Sequence, residues 1–214
     1  MFTKSLQSFG ISYFEKALEK RSRLVIPLER QLELGSGSGE HLPFVHQIPN
    51  KAYVCLDTNL PRTQEWIKKS SLELQKKLQF IKANAESIPF KDQSFEKITG
   101  TCLLHHVSDP LAVLIESRRV LKVGGEIVFI MPTDPGFFNQ TIKRLVTYRR
   151  MKKFTHYKPQ LILALDHINA VNSIIELAKF VFKDDDLKID YLPFRIKSWN
   201  FNLIVRLRII KKHI

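Results

Sequence analysis

Residues 31–40, Gln-Leu-Glu-Leu-Gly-Ser-Gly-Ser-Gly-Glu, constrain the fold more than any other stretch of this chain. A β-prone run, Gln31–Leu34, ends in three glycines at alternate positions, Gly35, Gly37 and Gly39. Alternating glycines permit a tight turn with positive φ and let the backbone approach a ligand closely. A helix after such a turn would offer unpaired N–H groups to anionic parts of that ligand. A dinucleotide fingerprint would place its third glycine three residues after Gly37, where Glu40 stands.

The remaining elements alternate. Short β-prone runs recur at Ala52–Leu56, Leu78–Ala83, Lys97–Leu103 and Glu126–Met131, with helical or loop segments between them. Ser12-Tyr-Phe-Glu15 has capping-box spacing, predicting a helix to about Arg23 that buries Phe14, Ala17 and Leu18. A second helix takes Asp109 as cap and Pro110 in its first turn, points Leu111, Leu114 and Leu121 inward, and stops at Gly124-Gly125. Ile168, Val171, Ile174, Ile175, Ala178 and Val181 recur at helical spacing, predicting a packed helix over Asn169–Phe182. Leu187–Phe194 and Phe201–Ile210 read as a closing strand pair. In the second, Phe201, Leu203, Val205, Leu207 and Ile209 alternate with Asn202, Arg206 and Arg208. The short turn Lys197-Ser-Trp-Asn200 makes that pair an antiparallel hairpin. Strands alternating with helices imply an α/β fold with a mostly parallel sheet. No internal repeat or low-complexity linker divides the 214 residues, so one domain is expected.

Three further stations follow the glycine turn. Asp57 ends the second strand in Val54-Cys-Leu-Asp57-Thr58-Asn, where a carboxylate can accept hydrogen bonds from both hydroxyls of a ribose. Ala83-Asn84-Ala85-Glu86-Ser-Ile-Pro89-Phe90 comes next. Phe95-Glu-Lys-Ile-Thr-Gly-Thr101-Cys-Leu-Leu104-His105-His106 then forms a fourth strand and its exit, and Leu121-Lys-Val-Gly-Gly leads into a fifth. With Glu33-x-Gly35-x-Gly37-x-Gly39, this series resembles the class I S-adenosylmethionine-dependent methyltransferases over about residues 25–135. The resemblance implies a Rossmann-like, seven-stranded, mostly parallel sheet with helices on both faces and an antiparallel C-terminal hairpin. It implies a single domain over 1–214. Its parts would be an N-terminal helical segment (1–28), a cofactor-binding core (29–131), an acceptor-capping insertion and helix (132–183), and a closing hairpin (184–214). It also implies S-adenosylmethionine as cofactor. Glu33, Gly35, Gly37 and Gly39 would surround its amino-acid part, Asp57 its ribose, and Asn84 and Ala85 its adenine, with Thr58, Thr101 and Leu104 as further cofactor-binding residues. Asn84 stands where the family usually has an aspartate, and its carbonyl oxygen can accept the same adenine hydrogen bond.

Methyl transfer from a sulfonium is an in-line displacement that needs no metal, so alignment and exclusion of water are the main requirements. A general base is required when the acceptor still holds its proton, as a hydroxyl does. Candidates are His105 at the fourth-strand exit, Asp134 in Met-Pro-Thr-Asp-Pro-Gly after the fifth strand, and His167 in Asp166-His-Ile-Asn. His156 and Tyr157 fall in the same capping insertion, and His106 is expected to support the backbone. Each of these also has an ordinary turn, cap or packing explanation. Cys55 and Cys102 read as small core residues and are too few for a disulfide framework or a zinc site. Cys102 follows Thr101 rather than the proline that precedes the nucleophile of cytosine C5-methyltransferases. Leu103-Leu104-His105-His106 replaces the Asn/Asp-Pro-Pro-aromatic loop of amino-methylating nucleic-acid enzymes.

Charge bears on the substrate. The net +13 is concentrated in residues 141–160, with seven cations and no acid, and residues 195–214, with six cations and no acid. Residues 1–140 carry +3 and residues 161–194 carry −3. Such segments attract polyanions, or else are simply solvated faces. The leading expectation is an enzyme that methylates a small or carrier-linked anionic acceptor such as a sugar, nucleotide-sugar or lipid-linked group, with oxygen favoured. The part from Asp134-Pro-Gly-Phe-Phe to Ser198-Trp-Asn also looks like a group of bacterial methyltransferases associated with cell-surface polysaccharide synthesis or lipid methylation. The alternatives are an RNA methyltransferase tracking nucleic acid with the two basic segments, and a non-catalytic cofactor-binding interaction protein. No apolar run approaches the roughly 18 residues of a membrane span, and Met-Phe-Thr-Lys-Ser leads into no signal-like stretch. A cytoplasmic location is expected, with peripheral contact at the anionic inner face of a membrane.

Overall fold

Apolar runs bounded by turn residues become seven strands in one sheet, ordered β3-β2-β1-β4-β5-β7-β6. The computed structural model describes residues 22–60, 64–147, 158, 161, 165 and 167–213. The helix expected from Ser12, together with Asp166, His156 and Tyr157, lies outside the described residues, and Ser22 and Arg23 are non-helical.

Strand β1 (Arg30–Leu34) pairs in parallel with β2 (Ala52–Asp57) and with β4 (Phe95–Thr101). Leu32 and Leu34 are fully buried in its centre. Strand β3 (Leu78–Lys82) extends one side, and β5 (Leu121–Pro132) extends the other. Strand β7 (Ile204–Ile210) runs antiparallel to both β5 and β6 (Asp186–Leu192). Short helices α1 (Gln64–Lys69) and α2 (Leu72–Gln75) precede β3, and α3 (Pro110–Val120) connects β4 to β5. Helix α4 (Phe137–Ile142) follows β5, and α5 (Val171–Val181) precedes β6. Asp109 caps α3 by accepting from the Ala112 N–H, and α5 buries Val171, Ile174, Ile175 and Ala178. Among the described residues, no helix is long and apolar enough to cross a membrane.

Four local expectations are corrected. The glycine turn is followed by a three-residue 3-10 turn, Leu42–Phe44, and not by a full helix. Pro43 and Pro49 deny this stretch the backbone donors a longer helix needs. Instead Leu42 and Val45 pack with Tyr53, Cys55 and Leu74. Gly124-Gly125 does not stop α3, because β5 already begins at Leu121 and both glycines lie within it. A Cβ on Gly125 would stand 2.8 Å from the Glu96 carbonyl oxygen, at the shifted register between β4 and β5. Ile168 precedes α5 and is 54% exposed, not inward. The β6–β7 connection is not a short turn, because it runs from Pro193 to Leu203 and contains a 3-10 turn at Trp199–Phe201. Buried Asn202 holds this loop, donating to the Ile196 and Ser198 carbonyls and accepting from the Phe194 N–H. Phe201 consequently lies outside the strand and is exposed.

The basic C-terminal segment is also not a uniformly solvated face. Strand β7 has a neighbour on each side, and Arg206 and Arg208 are only 6% and 5% exposed. Both reach Oδ2 of Asp190 on β6 at 2.9 Å. Burial and the adjacent Arg206 push the Arg208 guanidinium down from its ordinary value. Buried Lys211 donates to the Arg118 and Leu121 carbonyls, 2.8 Å each. Half of that segment's cations are therefore structural.

Removing Asp190 takes a carboxylate away from two buried guanidinium groups, and breaking a buried ion pair is more damaging than losing an exposed one. Asp190→Ala is expected to cost about 3 kcal/mol, read from urea unfolding midpoints. A loss comparable to that of an exposed pair such as Lys69–Glu65 would contradict the structural role of these charges.

Candidate active site

Parallel strands β1, β2, β3 and β4 end along one edge, and strand order reverses beside β1, where ligands bind in sheets of this kind. The glycine turn sits there. Gly35, Gly37 and Gly39 have φ of 67°, 51° and 89°, a region costly to residues with a Cβ. The Gly35 and Ser36 N–H groups both donate to the Leu56 carbonyl, tying the turn to the end of β2. A Cβ on Gly35 would approach the Leu103 side chain to 2.9 Å. Asp57 fixes the turn from the other side: its Oδ2 accepts the Gly37 N–H and its Oδ1 the Asn59 N–H, each at 2.8 Å.

These elements enclose a cavity of about 440 Å³. Gly35, Asp57, Thr58, Asn84 and Ala85 line it. Glu33, Gly37, Gly39, Thr101 and Leu104 do not. Glu33 is buried and accepts the Tyr53 hydroxyl at 2.8 Å, and Leu104 is 1% exposed. The Asn84 Oδ1 accepts the Glu86 N–H, and Glu86 in turn accepts the Asp109 N–H. S-adenosylmethionine fits this wall. The Asp57 carboxylate retains acceptor capacity for ribose hydroxyls. The missing Cβ at Gly35 leaves room for a close approach, and two carboxylates, Asp57 and Glu86, face a cationic ligand.

Sequence reasoning missed Glu86, Cys102, Leu103 and His106 on the wall. Cys102 is half-buried, not a core residue, and has a φ of 53°, a left-handed conformation uncommon without glycine. No local signal marks that conformation in the sequence. Of the two adjacent histidines, His106 lines the cavity, while His105 is 3% exposed and turned inward.

Three of the polar residues singled out by sequence come together behind His106. The His105 and His167 rings are 4.5 Å apart, and His106 and His167 are 5.0 Å apart. Asp134 is 2.7 Å from His167 Nδ1, accepts from Asn139 Nδ2 at 3.0 Å, and pairs closely with Lys143. Burial would raise the Asp134 pKa, but the His167 hydrogen bond and the Lys143 charge together hold it below its usual value. Burial, with neighbouring His106, His167 and Lys143, drives the His105 pKa far down, leaving this ring neutral. The backbone locks the group. His105 O accepts from Ile168 N–H at 3.0 Å, Asn169 Nδ2 donates to the Leu104 and Val107 carbonyls, and Val171 N–H donates to Asp134 O.

Residues 32–129 match the family described as a methyltransferase domain. A ubiquinone/menaquinone biosynthesis C-methyltransferase of Shewanella baltica is 31% identical over 137 residues, covering 61% of this chain and 53% of the relative. The chain thus spans about half the length of such relatives. Among solved structures, a chain of the complex between the Haloferax volcanii Trm112 methyltransferase activator and a methyltransferase has a TM-score of 0.66 at 14% identity. That match covers 99% of this chain and 95% of the other. Geranyl diphosphate methyltransferase in complex with S-adenosylmethionine has a TM-score of 0.62 at 12% identity, covering 95% of this chain and 85% of the other. At these identities the two structures speak for the fold alone.

Asp57→Ala removes both the cavity carboxylate expected to accept from the ribose and the anchor of Gly37. Isothermal calorimetry should show S-adenosylmethionine affinity falling at least about tenfold, the loss expected for a charge-assisted hydrogen bond. Unchanged affinity would remove Asp57 from the cofactor site.

Proposed function

We propose that this chain, whose residues 32–129 form a class I S-adenosylmethionine-dependent methyltransferase domain, methylates an oxygen of a small or carrier-linked anionic acceptor. The bound cofactor supplies an electrophilic methyl group and a thioether leaving group. Every other requirement falls on the protein. Asp57 and Thr58 would hold the ribose, Asn84 and Ala85 the adenine, and the glycine turn the amino-acid part. Leu103 and Val107 give the wall an apolar stretch that helps exclude water near the fourth-strand exit.

The observation that carries the reading is the Asp134–His167 contact behind the cavity-lining His106. Ionised Asp134 can only accept, so Nδ1 of His167 is the nitrogen that holds a proton against it, and in the neutral ring the lone pair is on Nε2. That nitrogen would take the proton of an acceptor hydroxyl as the oxygen attacks the methyl. Asp134 fixes the tautomer and stabilises the imidazolium that forms, with Asn139 and Lys143 holding the carboxylate. Arg144, in the π-helical turn Lys143–Thr147 that follows α4, would supply positive charge for a phosphate on the acceptor.

A second reading is methylation at carbon of a quinone-type ring, favoured by the C-methyltransferase activity for which the Shewanella relatives are named. Both readings need a base and predict different products. Incubation with methyl-labelled cofactor and cell fractions separated into RNA, lipid, nucleotide-sugar and protein pools discriminates them. Acid-stable label in the lipid quinone fraction would favour carbon, and label in RNA would overturn both.

Asp134→Asn leaves the cavity wall untouched but permits the wrong His167 tautomer. We expect kcat to fall about 10²- to 10⁴-fold, the usual contribution of a positioned base, with S-adenosylmethionine affinity unchanged. An equal loss of cofactor affinity would instead make Asp134 a structural group.

A further inference from the structure

The histidine group has a property that proton transfer does not use. One candidate ligand nitrogen from each of His105, His106 and His167 lies within 4.8 Å of the other two. Nδ1 of His105 is buried without a hydrogen-bond partner, and a buried polar atom left unpaired calls for an explanation. His167 has its Nδ1 on a carboxylate, which leaves Nε2 as the nitrogen that can donate to an ion. Carboxylate–histidine pairs of this kind orient and strengthen imidazole ligands of metal ions.

We infer that His105, His106 and His167 form a binding site for a divalent transition-metal ion that prefers imidazole ligands, such as zinc or cobalt. Three imidazoles suit borderline ions and not magnesium or calcium, which favour oxygen. A tetrahedral ion with bonds of about 2.0–2.1 Å needs its ligand nitrogens about 3.4 Å apart. The present spacing of up to 4.8 Å leaves about 1.4 Å to close, towards which a rotation of the exposed His106 side chain contributes. Because His106 lines the cavity, the fourth position of the ion opens towards it. Three protein ligands and one open position are the arrangement of a reactive site rather than a closed structural one. A filled site would occupy the Nε2 lone pair of His167. On the proposed methyl transfer, ion and acceptor proton then compete for one nitrogen, although the binding itself does not depend on that reading.

The test uses the untagged chain and cobalt(II) alone, followed by visible absorption and by calorimetry, with zinc(II) as competitor. The wild type should bind one ion with a low-symmetry ligand-field spectrum that zinc displaces. His106→Ala, at an exposed position that should fold, should weaken binding at least tenfold. Asp134→Asn should weaken it about 10- to 100-fold through His167. His213→Ala, an exposed histidine outside the group, should bind as the wild type does. Absence of binding at millimolar cobalt, or binding by His106→Ala and His167→Ala as tight as that of the wild type, would overturn the assignment. Binding with normal S-adenosylmethionine affinity but without methyl transfer to any pool would keep the ion site and reject the enzymatic reading.

Discussion

Leu34 is opposite Leu56 on one side and Gly100 on the other, and this register decides where everything chemical in the molecule lies. Parallel strands held level by backbone hydrogen bonds release their following loops along a common edge. Asp57 leaves β2, the glycines leave β1, and Cys102 leaves β4 within reach of one cavity. A slip of one residue would send Leu32 and Leu34 to the other face. The Gly35 and Ser36 N–H groups would lose the Leu56 carbonyl in the same step. The core and the site thus share one set of hydrogen bonds.

Buried charge connects that edge to the far side of the sheet. Asp134, Asp185 and Asp190 are buried or nearly so, and each is answered by cations from elsewhere in the chain: Lys143, Arg118, and the Arg206–Arg208 pair. A strongly basic total is thereby reconciled with a packed interior. Because the folded pKa of Asp134 is lowered, its pairing stabilises the fold above the ordinary carboxylate range. That contribution is lost as pH falls through the lowered value. The net charge therefore overstates what is free to meet a polyanion, since Arg206, Arg208 and Lys211 are already engaged.

The mostly parallel sheet with its antiparallel closing strands, and the residues Gly35, Asp57, Asn84 and Ala85 that share one cavity wall, were legible because they are written in local chemistry: alternating glycines, an aspartate closing a strand, and a helix capped by Asp109. What escaped depends on tertiary surroundings. Gly124 and Gly125 have the composition of a helix stop, yet they serve a strand where Glu96 comes too close for a side chain. Arg206 and Arg208 alternate as solvent-facing residues would, and only the partner strand carrying Asp190 makes their burial tolerable. Cys102 gives no sign in sequence of its left-handed backbone, and a histidine pair does not say which ring will face the ligand.

Asp134 and His167 are 33 residues apart, and neither position is distinctive alone. Their meeting follows from backbone constraints placed on both sides. Val171 N–H binds the Asp134 carbonyl, Ile168 N–H binds the His105 carbonyl, and Asn169 spans Leu104 and Val107. Five consecutive residues, 167–171, therefore stitch the exit of β5 to the exit of β4. The side chains between those anchors have little rotational freedom left. Preorganisation of this kind lowers the reorganisation needed when charge develops on an acceptor. The same rigidity keeps the His105 and His167 rings close, so the proton would meet a site already built, and the ion one that only the exposed His106 has to complete.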